Sequence, residues 1–344
     1  MVDKEIELSE RSCEILRAVV QTYIDSAEPV GSRTVAKRSS LGLSPATIRN
    51  AMADLEEMGL LFQPHTSAGR VPTEAGLRYF VDYLLEKESL SWGDQVAIEE
   101  GLKSTHSDII STLKKVAELL ADFSGHAAVI SAPRLTGERL SHVELIKVRP
   151  GIVLVVLVAD SGLVQNRLVQ TELDLPEDRL EALAQYLNAK LEHMGLEEAR
   201  ASILQELEDQ KKVFEHLLEE LILGYQGAYD EGRVLVEGEL NLLDYPEFSN
   251  VSKIRALLQT FQEKRALLAL LDRCLESDGV QVFIGSEGLG HKVPGCGMVL
   301  APYSDRDHPL GSLGVVGPMR MNYARILALV EYAAQVLSES LKET

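Results

Sequence analysis

From Leu43 to Val71 the chain reads LSPATIRNAMADLEEMGLLFQPHTSAGRV, and Ile48, Ala51, Met52 and Leu55 recur at helical spacing as one apolar stripe. Ser44 is a good N-cap and Pro45 follows at the first helical position, where its missing N–H costs nothing. Gly59 closes the helix, because a residue without a Cβ tolerates the left-handed conformation. At about 100° per residue, the opposite face carries Ala46, Arg49, Asn50, Ala53 and Glu57, with Thr47 at its flank. Upstream, Pro29-Val30-Gly31 breaks the chain, and Ser32 is placed to cap a short helix, Arg33 to about Ser39, with Val35 and Ala36 inward. The Leu41-Gly42-Leu43 turn joins the two helices into a helix-turn-helix. Downstream, Leu60 to Gln63 and Arg70-Val71 read as short strands around the polar turn His65 to Gly69, which makes a wing. Ser9 caps a support helix with Ile15, Leu16, Val19, Val20, Tyr23 and Ile24 inward, and Thr73 caps a helix to about Leu85.

Beyond a polar stretch, Glu86 to Gly93, whose Trp92 is expected to dock on the protein, the pattern is helical to about Asp122. It then shifts to period two. Ala127 to Ser131, Val143 to Val148, Ile152 to Ala159 and Leu163 to Val169 predict strands of one antiparallel sheet, with Val280 to Ile284, Met298 to Ala301 and Gly314 to Gly317 of the same class. Between these groups the chain is mostly helical (Glu177 to His193, Glu197 to Leu223, Ser252 to Leu275), with a strand near Arg233 to Leu243. A final helix starts at Tyr323. The fold class expected is multidomain α+β: a winged helix-turn-helix over 1–88, a linker over 89–104, and an α+β domain over 105–174 and 277–344 interrupted by an insert over 175–276.

Composition changes the picture at one point. The chain carries a net charge of −19, unusual for a nucleic-acid binder. Residues 1–80 hold 9 basic and 11 acidic residues, net −2, which leaves −17 on the remainder. From Gly31 to Ala53 the charges are Arg33, Lys37, Arg38 and Arg49, with no acid. A local basic patch on an acidic body predicts weak non-specific binding and steep salt dependence at a specific site.

Arg and Asn can each make bidentate contacts to a base edge, so Thr47, Arg49 and Asn50 are the candidates for base reading. Ser32, Arg33, Lys37, Arg38 and Ser44 are the candidates for phosphates, and His65, Ser67 and Arg70 for the backbone or minor groove from the wing. No catalytic constellation, cofactor motif or metal site is expected. The Gly285 to Gly297 stretch fits neither a dinucleotide nor a P-loop spacing. Neither His291 with Cys296 nor Asp305, Asp307 and His308 has a standard ligand spacing. The three cysteines, Cys13, Cys274 and Cys296, are widely spaced and favour reduced thiols. The charged N-terminus lacks a signal-peptide core, and no apolar run is long enough to span a membrane; a soluble, cytoplasmic protein is expected.

Two segments are more specific than the general motif. SPATIRNAMADLEEMGLL followed by QPHTSAGRVPTEAGLRYFVDYL resembles the N-terminal domain of the HrcA family of bacterial heat-inducible transcription repressors. GSLGVVGPMRMNYARILALVEYAAQVL resembles that family's C-terminal signature, and the resemblance spans nearly the whole chain. It implies a GAF-like fold for the α+β domain, a dimerising role for the insert, and a homodimer on double-stranded DNA at the inverted repeat called CIRCE, upstream of chaperone operons. It also implies that the GroE chaperonin keeps the repressor active until heat stress diverts it. An alternative stays open on the residues alone: a regulator controlled by a small molecule in the α+β domain, with Arg320 facing an anionic effector.

Overall fold

The computed structural model describes residues 7–38, 42–66, 68–103, 109–133, 140–159, 164–170, 176–191, 234–275, 277, 279–289, 295–305 and 308–342. The N-terminal domain has the expected order: α1 (Glu10–Ser26), α2 (Ser32–Arg38), α3 (Pro45–Glu57), β1 (Leu61–Phe62), β2 (Val71–Pro72) and α4 (Glu74–Tyr79), which widens into a π-helical turn at Phe80–Leu84. Ser9 caps α1 and Thr73 caps α4, each side chain accepting a backbone N–H three residues on. Gly59 sits at φ +76, the left-handed position its place after the helix predicts. Leu61 pairs with Pro72 and Phe62 with Val71, and Arg70 forms an extra bridge with Val30.

The stretch read as helical to about Asp122 forms α5 (Trp92–Lys103), whose Ile98 and Leu102 are buried, and α6 (Ile109–Ser124), so the 89–104 segment expected to be a linker is largely helix packed on the body. Trp92 begins α5 and is 79% exposed, so among the described residues it docks on nothing.

The central domain is a five-stranded antiparallel sheet built from β3 (Ala127–Ser131), β7 (Val234–Glu237), β8 (Gln281–Ile284), β9 (Cys296–Asp305) and β10 (His308–Pro318), in the order β7-β3-β10-β9-β8. Both of its faces are covered. Ala128, Ile130, Val299, Ala301 and Val315 share a core with α5, α6 and α10 (Tyr323–Lys342). Their neighbours Ala127, Val129, Met298, Leu300 and Val316 face the opposite core, which includes α8 (Val251–Glu263) and α9 (Arg265–Leu275). Burial on both faces is why successive positions in β3 (Ala127 to Ile130) and β9 (Met298 to Ala301) are apolar.

Two expectations are corrected here. The period-two strands do not form one sheet: β4 (Leu140–Arg149), β5 (Ile152–Ala159) and β6 (Val164–Gln170) make a separate three-stranded meander. β7, α8 and α9, expected inside the insert, instead complete the five-stranded sheet and cover it. The helix expected at Glu197 to Leu223 lies outside the described residues. One face of the meander carries Val143, Leu145, Val153, Val155, Leu157 and Val169, all buried. Opposite β4 lies α7 (Glu177–Leu191), with Leu180, Ala184 and Leu187 buried. Asn188 fastens α7 to the β4 backbone, accepting from the Val143 N–H at 2.6 Å and donating to its carbonyl at 2.9 Å.

The winged helix is packed onto the central domain through a shared core that runs from Leu16 and Leu55 to Tyr323 and Val330. Polar clasps reinforce this junction. Glu74 accepts from the Ser286 N–H at 3.1 Å and its hydroxyl at 2.7 Å. Arg78 pairs with Glu287 and donates to the Val282 carbonyl at 2.5 Å. Arg320 donates to the Ile24 carbonyl at 3.1 Å and pairs with Glu247. Pro318 is the final residue of β10, and Asn322 caps α10, which starts at Tyr323 as expected, by accepting from the Arg325 N–H at 3.3 Å.

Candidate nucleic-acid interface

The sequence builds α3 as an outward-presented helix. Ile48, Ala51, Met52 and Leu55 are buried, which anchors one face by the hydrophobic effect. Ala46, Arg49, Asn50 and Glu57 are exposed on the other. The Ser44 hydroxyl accepts from the Thr47 N–H at 3.2 Å and lies 2.8 Å from the Thr47 hydroxyl. Ser44 therefore serves as the N-cap that orders the first turn. The side chains of Arg49 and Asn50 make no hydrogen bond or ion pair with other described residues, so their donors and acceptors are available at the surface.

Among the phosphate candidates, Arg33 and Lys37 are exposed on α2. The others are placed differently. Ser32 is buried at the start of α2. Arg38 is turned toward α1, where its guanidinium meets Asp25 at 2.8 Å and Thr22 at 3.5 Å. With those residues it lines a cavity of about 600 Å³ between the N-terminal domain, Glu86 to Glu88 and the start of α10.

On the wing, His65 is exposed and Ser67 lies outside the described residues. Arg70 is 17% exposed at its side chain and salt-bridged to Glu56 at 2.8 Å. Its buried Nε–H has no partner among the described residues. The guanidinium is thus committed inside the domain. The sequence pattern missed Arg11, an exposed residue in the first turn of α1 whose Nη2 reaches the Thr47 carbonyl at 3.4 Å. That places a further cation beside the first turn of α3, and no local motif announces it because the proximity is tertiary.

The chemistry elsewhere is quiet. Burial pushes the Cys274 and Cys296 thiols up to about 11 and about 12, so both stay protonated. His291 and Asp307 lie outside the described residues. The Arg320 guanidinium is taken up by Glu247, the Ile24 carbonyl and the face of Tyr245 at 5.5 Å. This removes the residue on which control by an anionic effector rested.

Comparison with known proteins bears on both the N-terminal domain and the body. Residues 7–80 match the family described as winged helix-turn-helix transcription repressor, HrcA DNA-binding, and residues 111–327 match the HrcA protein C-terminal domain. A heat-inducible transcription repressor HrcA of Geobacter sulfurreducens is 40% identical over 98% of this chain and 99% of its own length. One from Anaeromyxobacter sp. strain K is 44% identical over 97% of each chain. A crystal structure titled only as a hypothetical protein superposes with a TM-score of 0.61 at 26% identity, covering 98% of this chain and 99% of the other. An N-terminal domain that presents Arg49 and Asn50 outward, joined to a body matched over its length, leaves one assignment: the chain belongs to the HrcA family of heat-inducible transcription repressors.

Proposed function

We propose that the chain represses chaperone operons as a homodimer whose two winged helices read the halves of the CIRCE inverted repeat. Arg49, Asn50 and Thr47 meet base edges in this reading. Arg33, Lys37 and Arg11 hold phosphates, and His65 on the wing tip touches the flanking backbone. The observation that carries it is the exposed Arg49 and Asn50 on a helix whose other face is fully buried.

The homodimer reading is supported by the outer face of the β4–β6 meander. Among the described residues Ile146, Val148, Val164 and Leu168 are 45% to 61% exposed there, and large apolar side chains left in the open on one sheet face fit an association site. In this reading the meander and α7 belong to the dimerising module, and the sheet covered on both faces is the GAF-like domain. The names of the relatives support heat-inducible repression; control by the GroE chaperonin follows from the family resemblance, and a repressor works in the compartment that holds the DNA. No catalytic role is assigned to any residue.

The test is a salt-titrated gel shift on an inverted-repeat duplex against a scrambled one, with and without chaperonin. Selective binding that chaperonin strengthens is expected. Selective binding indifferent to chaperonin overturns the chaperonin arm, and no selectivity at any salt overturns the assignment of α3.

A further inference from the structure

One carboxylate fastens the wing to the recognition helix. Glu56, in the last turn of α3, accepts from the Gln63 N–H at 3.0 Å through one oxygen and from Arg70 Nη2 at 2.8 Å through the other. Gln63 directly follows β1 and Arg70 directly precedes β2, so Glu56 holds both legs of the hairpin. The Arg70 backbone is held as well, exchanging hydrogen bonds of 2.8 and 2.9 Å with Val30 ahead of α2. From inside the loop, Gln63 Nε2 donates to the Thr66 carbonyl at 3.0 Å and the Ala68 carbonyl at 2.9 Å, closing the turn that exposes His65 and Thr66.

A glutamate in the last turn of a helix faces the negative end of the macrodipole and is unfavourable to the helix itself. Its partners explain its presence. Arg70 neutralises it, with a side chain that is itself largely buried.

We propose that Glu56 is a positioning residue for operator binding: it fixes the wing tip relative to the recognition helix, with Gln63 as the brace of the tip. Arg70 then acts on Glu56 and not on DNA. This rests on the reading of α3 and the wing as the DNA interface. A wing held at a set angle loses less freedom on docking, so its contacts to the flanking backbone add to affinity without reading bases.

The test uses the full-length protein on an inverted-repeat duplex, with hydroxyl-radical footprinting, affinity, and preference across single base-pair substitutions. Glu56→Ala is expected to lose protection at the flank and to bind about tenfold more weakly, with base preference intact. Glu56→Gln keeps an acceptor for the Gln63 N–H and is expected to fall between. Gln63→Glu aims a carboxylate at two carbonyls in an exposed loop; it is expected to lose the same flank protection at an unchanged melting temperature, which keeps the test sound if Glu56→Ala fails to fold. Arg70→Met is expected to follow Glu56→Ala with its salt slope unchanged. Flank protection retained in Gln63→Glu overturns the proposal, as does a salt slope that falls by about one in Arg70→Met, since that marks a direct phosphate contact. Failure of the wild-type protein to select the repeat overturns the DNA reading instead.

Discussion

Removing the Arg320 guanidinium should loosen the N-terminal domain from the body without unfolding either. Arg320→Met keeps most of the side-chain bulk. It strips Glu247 of its cation, the Ile24 carbonyl of a donor at 3.1 Å, and the Tyr245 ring of its cation. The side chains of Arg320 and Glu247 are 13% and 24% exposed. Both belong to the body, so only the hydrogen bond to the Ile24 carbonyl crosses the junction. A hydrogen bond from a charged donor is worth about 1.5–3 kcal/mol, so its loss should raise the opening equilibrium by roughly 10- to 150-fold. Limited proteolysis of the Glu86 to Gly93 stretch, run where reclosing outpaces cleavage, should accelerate by about the same factor. Glu247→Leu with Arg320→Met should lose less than Arg320→Met alone, because no charge is then left unpaired. Acceleration below about threefold, with no coupling between the two positions, would refute the argument that this clasp seats the domain.

Three other outcomes follow from the same geometry. Arg49→Ala should cost roughly 1–3 kcal/mol of operator binding and relax base preference, whereas Lys37→Ala should weaken all sequences alike and lower the salt slope by about one; gel shifts on operator and random DNA separate them. Burial, aided by the nearby Arg320 charge and only partly opposed by the hydrogen bond to the Gly125 carbonyl, holds His126 down at about 4 against its usual 6.5. The unfolded chain therefore binds the proton first, so stability is full above about pH 6.5, falls by about 2 kcal/mol by pH 5, and is flatter in His126→Gln by urea titration. A Cβ on Gly69 would lie 2.3 Å from the Val30 carbonyl oxygen, so Gly69→Ala should displace β2 and the wing and cost flank protection with α3 base preference kept; an unchanged footprint would show that the Val30 bridge has room to give.

What was legible in the sequence was whatever neighbouring residues decide. Ser44, Pro45 and Gly59 bracket α3, and the apolar stripe sets which way Arg49 points; each signal acts within one helix. The meander was legible as strands but not as a separate sheet. The turn at Arg149-Pro150-Gly151 is written locally, whereas the pairing of β3 with β7, more than 100 residues on, has no local signature. The same limit governed the site. Arg38 and Arg70 carry the charge and exposed-looking context of phosphate ligands, and only tertiary structure supplies Asp25 and Glu56. Glu56 itself had a signal, an acid where the helix dipole favours a base, and that conflict pointed to a partner outside the helix. In a winged helix of net charge −2 few cations are surplus. With Arg70 paired internally and Arg38 held to Asp25 at the surface, the field at the DNA surface falls mainly to Arg11, Arg33, Lys37 and Arg49. Loss of any one of these should therefore cost this repressor a larger share of its binding than the same loss would in a strongly basic DNA-binding domain.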